Sequence, residues 1–279
     1  MNILSDVSET AIVTLKSRVQ EAERENPVIH DDMAAECLEK IRSLLPRETA
    51  ERLIDQKLSS SLTRHVALRA RKYDAETTAF MEQYPDGLVV SLGCGFDTRY
   101  WRVVNKSWKY VEVDLPAVIE AKKEILKNKI EYLMIGCSVL EDRWIKKIAA
   151  IQNQKVLFLA EGLLMYLPQK KVEEVFRKIA ETFSESRIVF EVVNKKQSQG
   201  MWKKLVELKM KRSMGSTAGS SYQFGVTDAR EIETYGRNIQ VLEEWSYFED
   251  KDIEPKILGK FKNWKLMSRT QWTIKAKIG

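Results

Sequence analysis

The chain has 279 residues, 44% of them hydrophobic, and 46 Lys and Arg against 40 Asp and Glu leave a net charge of +6. That length and apolar content support one sizeable core, and no uninterrupted apolar stretch reaches the roughly 20 residues of a bilayer-crossing helix, which excludes a membrane-spanning segment. The polar opening Met1 to Ser8 lacks the basic-then-apolar layout of a secretory leader, so a cytoplasmic location is expected.

Apolar periodicity near 3.6 predicts helices over 8–25 and 31–44, parted at Asn26-Pro27, and a longer helical stretch over 47–83 interrupted around Ser59-Ser60-Ser61. These form an N-terminal helical cap. From residue 88 the pattern alternates. Strands are expected near 88–92, 109–113, 131–135, 155–160 and 187–193, with helices near 116–127, 141–151 and 169–183, the signature of an α/β, doubly wound, mostly parallel sheet. The segment 196–226 ends in a Gly- and Ser-rich run suited to a lid or loop, and Lys203 to Arg212 alternate with Leu205, Val206, Leu208 and Met210 as one solvated helix face. Two late strands are expected near 241–247 and 264–277. We read 1–279 as a single domain: a cap over 1–85, a cofactor-binding core over 86–195, and a lid or substrate insert with closing strands over 196–279.

The run Val89-Val90-Ser91-Leu92-Gly93-Cys94-Gly95, followed by a second strand ending in Asp114, is the layout by which a βαβ unit offers close backbone approach to a nucleotide and a carboxylate to its ribose. A dinucleotide site calls for a third glycine where Thr98 stands, so nicotinamide and flavin cofactors are disfavoured. An adenosine cofactor without a pyrophosphate, S-adenosyl-L-methionine, fits better. Ligands of such sheets sit beyond the carboxyl ends of the strands, where Gly93, Asp114, Ser138 and Glu161 all fall. Gly93 and Gly95 admit the backbone approach, Asp114 accepts from the ribose hydroxyls, and Glu161 at the end of the run Val156–Ala160 places a carboxylate near the sulfonium and amino group. A glycine turn with a surface Asp and a helix-capping Glu is the plainer alternative.

Leu-Gly-Cys-Gly-Phe-Asp-Thr-Arg-Tyr-Trp-Arg at 92–102, Glu-Val-Asp-Leu-Pro at 112–116 and Glu-Gly-Leu-Leu-Met-Tyr-Leu-Pro at 161–168 resemble the signature blocks of the leucine carboxyl methyltransferase superfamily, and most of all its tetracenomycin-type polyketide O-methyltransferases. The likeness includes Val7 to Thr10 and Asn26 to Asp32 and spans about 7–195. It implies a class I methyltransferase fold, seven-stranded and closed by an antiparallel hairpin. It also places Ser138 and Val139 at the adenine, with Ser138 where some members carry an Asp, and Arg69 of Leu68-Arg69-Ala70-Arg71 at the methionine carboxylate, a group suited to a bidentate guanidinium. Arg71 and then Arg18 are the next candidates. Asp97 and Arg99 read as a buried ion pair shaping the loop, and Tyr166 as a residue of the core or of the acceptor pocket.

The basic residues are interleaved with acids, and Glu161-Gly162-Leu163-Leu164 stands where a base-amine methyltransferase carries an Asn/Asp-Pro-Pro-aromatic turn, so no nucleic-acid partner is expected. Cys37, Cys94 and Cys137 are unpatterned, which argues against disulfides and a metal cluster. The function implied is O-methylation of a small molecule; methylation of a protein C-terminal carboxylate and a non-catalytic nucleotide-binding module are the alternatives. No membrane partner is expected. A carboxylate acceptor, with a reference pKa of about 4, needs no base, whereas a phenol near about 10 does. His30 and His65 both fall in the cap outside any dyad, which leans toward a carboxylate; a Tyr, Glu or Asp remains open as a base for a phenol.

Overall fold

A computed structural model describes residues 9–103, 108–151, 155–198 and 222–279. The cap comprises α1 (Glu9–Ala22), α2 (Asp32–Leu44), the short α3 (Arg47–Ala50) running into a π-turn at Glu51–Asp55, and α4 (Ser60–Gln83). The breaks are chemical. Asp31 caps α2 by accepting from Ala34 N at 3.1 Å, and Ser59 caps α4 by accepting from Leu62 N at 3.3 Å, each meeting an N–H that the first helical turn leaves unpaired.

The sheet contains β1 (Leu88–Leu92), β2 (Lys109–Asp114), β3 (Leu133–Gly136), β4 (Val156–Ala160), β5 (Ser186–Val193), β6 (Ile239–Trp245) and β7 (Gln271–Ile278), in the order β3-β2-β1-β4-β5-β7-β6. β1 to β5 run parallel; β7 is antiparallel to β5 and β6 to β7. Every residue of β1 and β4 is buried, as expected of central parallel strands covered on both faces. α6 (Pro116–Leu126) follows β2, and on one face Phe158 and Phe190 pack with Trp144 and Phe176 from α7 (Arg143–Ala149) and α8 (Gln169–Thr182). On the other, Tyr73 and Phe80 of α4 lie over Val89, Leu157 and Val189. Because β1 and β4 are neighbours while the chain turns outward from each in opposite directions, their carboxyl ends open a crevice at the switch point.

Several details differ from expectation, among them β6, which runs two residues earlier than expected, and α1, which ends at Ala22 rather than 25. A short helix, α5 (Arg99–Val103), follows the glycine loop; it is too brief to show a period. β7 begins at Gln271 rather than 264, because Lys265–Ser268 forms a helical turn before the strand, and β3 begins at Leu133 rather than 131. The expected lid over 196–226 and basic helix over 203–212 lie outside the described residues, apart from the ends 196–198 and 222–226.

Candidate active site

Gly93 (φ +62°) and Gly95 (φ +50°) both adopt the left-handed conformation open to glycine. A Cβ on Gly93 would lie 2.6 Å from Leu163 Cδ1, so two loops at the switch point meet over a bare backbone. Asp114, at the end of β2, is tied to this loop: Oδ2 accepts from Gly95 N and Oδ1 from Leu115 N, both at 2.7 Å. Burial pushes the Asp114 carboxyl above its usual pKa despite these two donors.

After β3, Ser138 Oγ accepts from Leu140 N at 3.2 Å and Ser138 N donates to Glu141 Oε1 at 2.9 Å, closing a turn. Val139 packs its side chain into the core, and its carbonyl accepts from Trp144 Nε1 at 3.0 Å. The Val139 side chain is thus committed to the core.

Glu161, just past β4, lies between two arginines. Arg69 Nε donates to its Oε1 at 2.9 Å and Arg99 Nη2 to its Oε2 at 2.6 Å. Arg69 Nη1 also donates to Glu191 Oε2 at 2.9 Å, and Glu191 Oε1 accepts from Gln271 Nε2 at 2.6 Å. Burial works to raise the pKa of Glu161, but Arg69 and Arg99 outweigh it and hold the carboxyl below the usual range; at Glu191 burial prevails and the pKa is raised. Arg69 Nη2 faces Gly162, lying 3.5 Å from where a Cβ would stand, so that glycine (φ +64°) leaves the guanidinium edge uncovered.

The expected Asp97–Arg99 pair is present and belongs to a larger network. Arg99 also binds Asp74 at 2.8 Å, and Arg102 binds Asp74 at 2.8 Å and Asp31 at 2.6 Å. Arg18 binds Asp31 at 2.9 Å and donates to Phe96 O at 2.9 Å, while Thr98 Oγ1 donates to Asp31. The cap thereby holds the glycine loop by charge-assisted hydrogen bonds. Of the candidate arginines, only Arg69 reaches the end of β4. Arg71 turns to Asp250 and Asp252, and Arg18 braces the loop from behind. Asp31, Asp74, Arg102 and Glu191 carried no sequence signal for this role beyond the inclusion of Asp31 and Arg102 in the quoted blocks.

Tyr166 lies beside the site with its ring 5.6 Å from that of Tyr222, in a small cluster with Met165 and Val193. Burial, reinforced by Glu191, pushes its phenol up to about 12. His65 packs edge-on against Tyr247 one helical turn before Arg69; burial first and Arg69 second pull its pKa down to about 3. His30 is exposed in the connection between α1 and α2. Neither histidine is positioned as a base.

Comparison with known proteins accords with this geometry. The TcmP tetracenomycin polyketide synthesis O-methyltransferase of Streptomyces glaucescens is 29% identical over 87% of this chain and 84% of its own length. The S-adenosyl-L-methionine-dependent methyltransferase dpfgK of Gibberella zeae is 27% identical over 88% and 84%. A crystal structure of a Thermobifida fusca YX protein described as a methyltransferase superposes with a TM-score of 0.57 at 14% identity, covering 96% of this chain and 94% of that one, and so shares the fold. The family model described as leucine carboxyl methyltransferase matches residues 11–180, a span that includes the glycine loop, Asp114 and the Arg69–Glu161 pair. With more than half its length so matched, the chain belongs to the leucine carboxyl methyltransferase family and is an S-adenosylmethionine-dependent methyltransferase.

Proposed function

We propose that the enzyme methylates an oxygen of a small molecule, a carboxylate or a phenolic hydroxyl, and that residues 1–279 act as one unit of cap, core and closing segment. The residues fit the cofactor. Each Asp114 oxygen accepts one backbone N–H and has a further lone pair for a ribose hydroxyl. The left-handed turns at Gly93 and Gly95 let the backbone approach, and the uncovered edge of Arg69 beside Gly162 suits the methionine carboxylate. Ser138 and the Val139 backbone are assigned to the adenine side, and Glu161, held ionised by Arg69 and Arg99, to the positively charged amino and sulfonium groups.

The cofactor supplies a methyl group already activated on a sulfonium, so the protein's task is to align an oxygen nucleophile with it and to exclude water. The observation that carries the small-molecule reading is the Tyr166–Tyr222 ring pair beside the Arg69–Glu191 contact, an aromatic wall at the site that suits a flat acceptor. The polyketide-pathway relative points the same way. The family description alone favours the competing reading, a protein C-terminal carboxylate. A panel of aromatic carboxylic acids, phenols and C-terminal peptides, assayed for transfer of a labelled methyl group, separates them: labelling of peptides only would overturn the proposal.

A further inference from the structure

The connection between β6 and β7 has a different character from the rest of the surface. From Pro255 onward the chain carries no Asp or Glu, and Lys256, Lys260, Lys262 and Lys265 alternate with Ile257, Phe261 and Trp264. Residues Lys256–Phe261 form 3-10 turns leading to α9 (Lys265–Ser268), which presents this alternation to solvent. Ile257 is 57% and Trp264 52% exposed, Phe261 packs on Trp264 with ring centroids 5.8 Å apart, and the four lysines are exposed. None of the four forms an ion pair among the described residues; Lys256 reaches only the carbonyl of Lys251, at 2.7 Å.

The acids that precede this stretch are already engaged. Asp250 and Asp252 hold Arg71, and Glu254 holds Arg24 at 2.6 Å and Arg64 at 2.9 Å. Positive charge and large apolar side chains are therefore left together on one surface. Lining the adjoining 250 Å³ cleft are Lys262, Lys265 and Trp272, whose buried indole N–H has no protein partner. Glu244 and Glu249 also line it, and Glu244 is offset by Arg269 at 2.7 Å.

We propose that residues 256–265 dock the enzyme on an anionic phospholipid bilayer, with Trp264 and Ile257 at the headgroup boundary and the four lysines over lipid phosphates. A purely polyanionic partner would match the lysines but leave Trp264 and Ile257 in water. The docking is peripheral; it revises the expectation of no membrane partner, which rested on the lack of a spanning stretch, and no described helix is long and apolar enough to cross a membrane. Gln271, the first residue of β7, hydrogen-bonds Glu191 of the Arg69 contact and pairs with Val193 at the carboxyl end of β5, so the docked connection lies at the same end of the strands as the site. An apolar acceptor would then arrive from the bilayer side.

Co-sedimentation of the full chain with phosphatidylcholine vesicles, with and without phosphatidylserine, at about 0.1 M salt tests this. Binding is expected only with phosphatidylserine. Lys260→Gln with Lys262→Gln should lower partitioning on the order of 20-fold, and Trp264→Ser on the order of fivefold. The control pair Lys146→Gln with Lys147→Gln, exposed on α7, should leave it nearly unchanged, and affinity for S-adenosylhomocysteine should be the same in all variants. Three outcomes overturn the proposal: no binding to phosphatidylserine vesicles, an equal loss in the control pair, or wild-type binding by Trp264→Ser, which would identify a polyanion surface.

Discussion

At the residue scale, Asp114 and Arg69 divide the work of holding the cofactor, and each can be tested alone. Asp114 is oriented by two backbone donors before any ligand arrives. Asp114→Ala should leave the fold intact and remove charge-assisted hydrogen bonds of about 1.5 to 3 kcal/mol, roughly ten- to hundredfold in affinity for S-adenosylhomocysteine by calorimetry. Unchanged affinity in a folded variant would remove Asp114 from the site. Arg69 has two duties, since its Nε and Nη1 hold Glu161 and Glu191 while its remaining edge faces Gly162. Arg69→Lys keeps the charge but loses the fork. It should weaken binding of S-adenosylhomocysteine on the order of tenfold and that of a decarboxylated analogue much less. Equal losses for both ligands would make Arg69 a brace for the two carboxylates only.

At the scale of elements, the glycine loop and α4 fix the site from opposite sides. Gly93→Ala places a Cβ at positive φ, at about 1 kcal/mol or more, and drives it against Leu163. The variant should unfold at lower urea and bind cofactor more weakly, and adding Leu163→Ala should relieve the clash but not the backbone strain. Full recovery in the double variant would show that φ contributes nothing. α4 carries His65, Arg69, Tyr73 and Asp74 along the cap-to-sheet boundary. Asp74 joins Arg99 and Arg102, so Asp74→Ala leaves two buried guanidinium groups each short of a carboxylate and should cost on the order of 3 kcal/mol in urea denaturation. A loss no greater than that of an exposed ion pair would mean the remaining acids of the network suffice.

At the scale of the whole molecule, pH acts through groups of opposite sign. Asp31 is buried and Asp97 and Glu161 are half-buried, yet their arginines hold their folded pKa values below the unfolded ones. Such groups contribute stability above about pH 4 and lose it as pH falls through the lower folded values. His65 acts in a higher window. With a folded pKa near 3, it stays neutral in the fold while the unfolded chain takes up a proton below about pH 6.5, so its contribution declines between pH 6.5 and 4, whereas Asp114 and Glu191, whose folded pKa values burial raises, work the other way as pH falls toward 4. His65→Gln should flatten that upper part of the Tm-versus-pH curve and leave the steeper fall below pH 4; an unchanged upper limb would mean that His65 is protonated in the fold. The chemical step should behave differently. If the acceptor is a carboxylate, single-turnover rates should be flat from about pH 6 to 9 and should survive His30→Gln and His65→Gln, whereas a limb removed by either substitution would put the cap into the chemistry.

The alternating strands, the glycine turn, Asp114 and Glu161 at strand ends, and the helix break at Ser59 were all legible in the sequence, because each is a local pattern: an apolar run, a conformation open to glycine, a capping hydroxyl. Resemblance singled out Arg69. What the sequence alone left undecided is how the charges pair. Arg69 meets Glu191 across 122 residues and Arg102 meets Asp31 across 71, and those partners become neighbours only when β5 is laid beside β4 and the cap closes over the glycine loop. For the same reason α5 and the late start of β7 were missed: both are short segments whose conformation is set by what packs around them rather than by a period of their own. The exposed basic and aromatic surface at 256–265 belongs to both levels. Its composition is written in the chain, but only the tertiary structure shows that the neighbouring acids are bound to cap arginines, leaving the lysines unpaired.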